Sequence, residues 1–150
     1  MCGRFYPPSQ HSRGTIMTDI NALTDSLVRQ AKQSGTLGTL RFYKGYRSAA
    51  ANIPVVGAAA AVEPIEEKKR VAFVSENIEI VDSELRIRLF AGTGLSGAEL
   101  VDKARALVNS FRDNGDGYIS DWKISRVYHD KNLSTFYRDI VFTLSYCEVS

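Results

Sequence analysis

Acidic residues are missing from the sequence between Asp25 and Glu63, a window that holds Arg29, Lys32, Arg41, Lys44 and Arg47. Cysteine is scarce too. Cys2 and Cys147 stand near opposite ends without C-x-x-C spacing, which argues against a disulfide framework or a cysteine zinc site and for free thiols in a reducing compartment. Histidine is limited to His11 and His129, and neither has a companion ligand at a metal-binding spacing. No apolar run approaches the ~20 residues of a membrane span. The N-terminus also lacks the apolar stretch of a secretory signal. The remainder is ordinary globular composition, with 44% apolar and 24% charged residues in a chain of 150. That length suits one domain burying roughly 70% of its unfolded surface.

The net charge of +2 conceals a gradient. Residues 1–75 carry ten Lys/Arg against five Asp/Glu, whereas residues 76–150 carry nine against twelve. One flank is therefore expected to be basic and the other mildly acidic. Arg41, Lys44 and Arg47 interleave with Phe42, Tyr43 and Tyr46. That arrangement suits either an amphipathic strand or a weak grip on a phosphate backbone.

Residues 1–16 contain Pro7-Pro8 and small polar side chains without periodicity, and read as a flexible arm. Met17 opens a stretch that reads as a domain start, and is an alternative start for the native product. Thr18 is a candidate N-cap, and Ile20, Leu23, Leu27 and Ala31 form a helical stripe to about Lys32. Gly35 and Gly38 break it. A strand with Leu40 and Phe42 on one face is expected to run to about Tyr46. Residues 48–62 read as a loop followed by a tightly packed strand from about Val55. The Glu66-Glu-Lys-Lys-Arg70 run reads as a solvated turn. Strands are expected over Val71–Val81 and Glu84–Ala91.

Ser96-Gly-Ala-Glu99 is a capping box, followed by a helical face of Leu100, Ala104, Leu107, Val108 and Phe111. Asp113–Gly117 stops this helix. A strand from Tyr118 to Tyr128, a turn over His129–Ser134 and a terminal strand complete the pattern. In the terminal strand Ile140, Phe142, Leu144 and Tyr146 alternate with Tyr137, Asp139, Val141, Thr143 and Ser145. The first set reads as core and the second, mostly polar, as a candidate contact face. The expected fold is a single α+β domain over residues 17–150: a mainly antiparallel or mixed sheet with two principal helices on one face.

Two motifs suggest chemistry. Gly92-Thr-Gly94-Leu-Ser-Gly97 matches G-x-G-x-x-G between a strand and a helix, the setting of a dinucleotide fingerprint. The preceding strand alternates with Arg86 and Arg88, however, and too little chain follows for the required βα units. A nucleotide-binding module on this turn is the alternative from a different functional class. Asp113-Asn-Gly-Asp-Gly117 resembles the middle of a calcium loop, but Arg112 and Lys123 then fall at the first and twelfth ligand positions, which need oxygen donors. No catalytic residue, metal or cofactor is expected, and the chain reads as a non-enzyme.

The first five residues, Met1-Cys-Gly-Arg-Phe5, resemble the N-terminus of the SRAP family, whose terminal cysteine attacks abasic DNA. Nothing downstream resembles that family's glutamate, asparagine and histidine motifs. Over Met17–Glu148 the chain resembles the tail terminator (tail completion) proteins of long-tailed bacteriophages. The resemblance rests on the N-terminal helix, Ile53-Pro-Val-Val56, Leu85-Arg-Ile-Arg-Leu89 and the second long helix. It rests further on Ser125-Arg-Val-Tyr-His-Asp130 and the closing strand Phe136–Glu148. It implies a homo-oligomeric ring, typically a hexamer, that caps the tail tube, stops its growth and meets the head connector. The implied partners are other copies of the chain, the major tail tube protein and the connector or stopper, with transient non-specific DNA contact in the lumen. The implied location is the virion neck, and the host cytoplasm during assembly. Another neck or minor capsid role in the same virion is an alternative. The candidate contact residues are Arg41, Lys44, Arg47, Tyr137, Asp139 and Thr143.

Overall fold

The computed structural model describes residues 20–35, 37, 40–53, 58–75, 78–91, 97–115 and 117–149. The elements are α1 (Ile20–Lys32), β1 (Arg41–Lys44), α2 (Tyr46–Ala50), β2 (Ala59–Ser75), β3 (Ile78–Phe90), α3 (Gly97–Asn114), β4 (Ile119–Ile124), β5 (Tyr128–Asp130) and β6 (Thr135–Val149). The strands form one mixed sheet in the order β1-β2-β3-β6-β4, with β5 also paired to β6. Only the β1–β2 pair is parallel. The chain is thus a single α+β domain.

Period-two alternation decides which face is dry. Leu85 and Ile87 of β3 sit opposite Phe142 and Ile140 of β6, and all four are fully buried. Above them lie Leu23, Leu27 and Ala31 of α1 and Leu100, Ala104, Leu107 and Phe111 of α3. Both long helices therefore cover the same face. The Phe111 and Phe142 rings stack 5.1 Å apart, joining α3 to the centre of the sheet. Each such apolar side chain contributes about 1.5–3 kcal/mol on burial. The buried hydroxyls of Ser83 and Tyr146 satisfy one another at 3.2 Å.

The opposite face is covered only in part. Ala49 of the short α2 packs against Ala59, Ala61 and Phe90. Ala58, Ala59, Ala60 and Ala61 are all at most 2% exposed. Methyl side chains allow α2 to approach one face of β2 while the helix layer covers the other. Burial on both faces overrides the helical preference of alanine.

Several expected boundaries shift. The strand expected to reach Tyr46 ends at Lys44, because Gly45 turns the chain into α2. The described strand in the alanine-rich stretch begins at Ala59, whereas residues 54–57 lie outside the described residues. The expected turn at Glu66–Arg70 is the middle of β2, with Lys68 opposite Asp82 and Lys69 opposite Val81. The reversal lies between Ser75 and Ile78, so the expected strands 71–81 and 84–91 become the end of β2 and a single β3.

The strand expected over Tyr118–Tyr128 is divided. Between Ile124 and Tyr128 three residues of the β4–β5 ribbon face two of β6, a bulge that absorbs one residue. Ser125 fills it: its amide donates to the Asp139 carbonyl and its hydroxyl accepts from the Asp139 amide. His129 and Asp130 belong to β5, leaving residues 131–134 for the expected turn. The N-cap Thr18, the arm, Gly92, Gly94 and Ser96 lie outside the described residues.

Candidate interaction surfaces

Three constellations stand out on the described surface. The first is a polar and aromatic cluster on the sheet face away from α1 and α3. Arg88 and Asp139 are direct neighbours across β3 and β6, so strand pairing aims both side chains to that face. The Arg88 guanidinium donates from Nε and Nη2 to the two Asp139 oxygens at 2.8 and 3.0 Å. It lies 4.2 Å from the Tyr137 ring centroid and 5.3 Å from that of Tyr46. Two aromatic faces and a carboxylate thus hold one cation. The hydrogen bond to Asp139 leads in fixing the Arg88 proton even more firmly than in a free arginine. Tyr46 donates to Asp130 at 3.2 Å, and partial burial followed by that carboxylate raises its phenol above the ordinary tyrosine range.

The second is a cleft of about 660 Å³ between α1 and the β1–β2 edge. Val28, Phe42, Val62 and Pro64 supply an apolar lining, and Arg29, Lys32 and Lys44 the cations. The amphipathic spacing of α1 explains the arrangement: Leu23 and Leu27 point into the core while Thr24, Val28 and Lys32 line the cleft. Lys44 pairs loosely with Asp25 at 3.7 Å. Thr24 is 5% exposed, and its hydroxyl has no hydrogen-bond partner among the described residues. Gly45, at φ 85° and ψ 155°, occupies a backbone region essentially reserved for glycine, and sets the cleft's end.

The third is a ridge along the opposite edge of the sheet. Trp122, Ile124 and Phe136 are 36%, 37% and 42% exposed. Trp122 and Ile124 lie opposite Phe142 and Ile140, so they belong to the helix-covered face but stand at its margin. Arg112 of α3 lies 4.2 Å over the indole, and His129 meets Phe136 edge-on at 5.0 Å. Asp113 lines the hollow beside Trp122.

The residues singled out from sequence are divided among these surfaces. Lys44 belongs to the cleft, whereas Arg41 and Arg47 are exposed on β1 and α2. Tyr137 and Asp139 are half-buried and hold Arg88, and Thr143 is half-buried opposite Glu84. The cleft and the ridge were not anticipated. The spacing of Thr24, Val28 and Lys32 on one helix flank was a usable signal for the cleft. For Trp122, the only tryptophan, the signal was its alternation with Ile124. Among the described residues no group of His, Cys, Asp and Glu could hold a metal ion. Nor is any described helix long and apolar enough to cross a membrane. Compared with known proteins, the chain matches no family model and no curated protein.

Proposed function

We propose that this chain is a structural, ring-forming subunit of the tail-terminator kind, one that closes the end of a phage tail tube and presents a surface to the head connector. The observation that carries the reading is the unfinished outer edge of β2. β1 pairs with Ala59–Val62 alone, and among the described residues no strand pairs with that side of β2 from Glu63 to Ser75. A long unpaired edge is a template for association with another chain. A concave cleft beside that edge and a ridge of Trp122 and Ile124 on the other make the two flanks unlike in shape. Unlike flanks are the requirement for head-to-tail contacts that close into a ring.

The function is tested by light scattering and negative-stain imaging of the purified chain, followed by addition of tail tubes. Closed rings that bind tube ends are expected. A chain that stays monomeric at high micromolar concentration and ignores tube ends overturns the reading.

A further inference from the structure

We propose that the unpaired edge of β2, from Glu63 onward, takes the free edge of β4 of a second copy of this chain and joins the two sheets into one. The inference rests on the ring reading and names its seam.

Topology supplies both edges and their sense. β4 ends the strand order, pairs only with β6 among the described residues, and is exposed from Ser120 to Ile124. At the other end of the sheet β1 stops at Lys44, opposite Val62, and leaves β2 open from Glu63. The steps from β2 to β3, β3 to β6 and β6 to β4 are all antiparallel, so β4 runs against β2. Copies repeating head to tail bring these two edges together as an antiparallel pair, whereas a two-fold axis would set each edge against itself. The seam is bounded at one end. Past Val62 the edge is taken by β1, and past Ile124 the β4–β5 ribbon bends at the Ser125 bulge.

Charge selects the register. Asp121 and Lys123 stand opposite Thr143 and Val141, on the face away from the long helices. Glu66 and Lys68 stand opposite Glu84 and Asp82, at positions on that same face. Setting Glu66 of one copy opposite Lys123 of the next puts Lys68 opposite Asp121, which makes two pairs of opposite charge. A slip of two residues sets Lys68 against Lys123 or Glu66 against Asp121. A slip of one turns the faces over. Neighbouring charges follow the same order. The hollow beside Ile124 is lined by Arg105 and Arg138, and the one beside Ile119 by Asp113. Along β2 the acids Glu63, Glu66 and Glu67 come first, and Lys68, Lys69 and Arg70 follow. Run antiparallel, the acids meet the arginine end of the β4 flank and the bases its aspartate end. Glu63, Arg105, Asp113, Asp121, Lys123 and Arg138 enter no ion pair among the described residues, so all six are available to a neighbour.

The test is a charge exchange in the full chain. Glu66→Lys and Lys123→Glu each set like charges together at every seam. Each alone is expected to raise the concentration needed for assembly about tenfold or more. The double variant restores opposite charges at every seam and is expected to assemble within about threefold of the wild type. Its assembly also shows that both substitutions are compatible with the fold. A second readout needs no variant: the amides of residues 65–70 and 119–124 are expected to gain hydrogen-exchange protection as rings form. Rings in which those amides stay unprotected overturn this seam and leave the ring reading standing. So does a single variant that assembles normally, or a double variant no better than the singles. A wild-type chain that never assembles defeats both.

Discussion

Arg88 and Asp139 face each other across β3 and β6 and are joined by two parallel hydrogen bonds, with the guanidinium held between Tyr46 and Tyr137. Both side chains are about one-fifth to one-quarter exposed, at 24% and 20%. Removing one partner leaves the other half-desolvated and unpaired. Asp139→Ala is therefore expected to destabilise the chain by about 2 kcal/mol. Urea unfolding of both single variants and of Asp139→Ala with Arg88→Met measures the coupling. A coupling indistinguishable from zero would show that the pair has no structural role.

Phe142 sits at the centre of the dry face, stacked on Phe111 and fully buried. Phe142→Ala opens a cavity under α3 and is expected to cost about 3–5 kcal/mol. By contrast, Thr143→Arg projects onto the open face. It is expected to leave the melting temperature nearly unchanged while reducing assembly if that face meets a partner. Calorimetry and light scattering on both variants separate the two effects.

Gly115 marks the passage from α3 into β4. A Cβ there would lie 2.7 Å from the Phe111 carbonyl and 2.9 Å from the Ile119 side chain. The backbone contact has no room to yield. Gly115 also accepts the Tyr118 and Ile119 amides through its carbonyl. Gly115→Ala is expected to cost about 1–3 kcal/mol by overpacking, read as a lower urea midpoint at unchanged slope.

Tyr46 supplies a pH dependence. Its folded-state phenol titrates above the unfolded one, through partial burial and the Asp130 carboxylate. Where the folded state keeps a proton that the unfolded state has lost, stability falls as pH rises. The contribution is fully present below about pH 10 and is lost as pH rises through the folded value. Tyr46→Phe is expected to flatten the alkaline part of the stability curve. Unfolding midpoints taken from neutral pH through the tyrosine titration check this, and parallel curves for the two chains would refute it.

The two long helices and the last strand were legible because a single pattern dominates each. Leu23, Leu27 and Ala31 repeat at helical spacing, and Ile140, Phe142, Leu144 and Tyr146 at strand spacing, with burial on the matching side. The Glu66–Arg70 run was not legible. Five consecutive charges read as a turn, yet they pair in register with residues 80–84 of β3. Cross-strand partners on the next strand decide such a segment, and its own local propensity does not record them. The division of β4 from β5 escaped for a related reason. Ser125 creates it by bonding to Asp139, and the bulge exists only once β6 is beside it. Of the candidate surfaces, the half-buried face of β6 could be read from alternation. Of the cleft, only the α1 flank with Thr24, Val28 and Lys32 could be read from spacing, because its depth is the separation of two elements, which no single segment encodes.

The position of β6 has a consequence for synthesis. It follows the other described elements along the chain, yet it lies between β3 and β4 in the sheet. While a ribosome is still making residues 1–134, among the described strands β3 has no neighbour on one side, β4 and β5 have no pairing partner, and α3 has no Phe142 to pack on. The domain therefore closes only after β6 emerges, and the waiting nascent chain exposes strand edges to other chains on the same message. Slowing translation before Thr135 should lengthen that exposure and lower soluble yield.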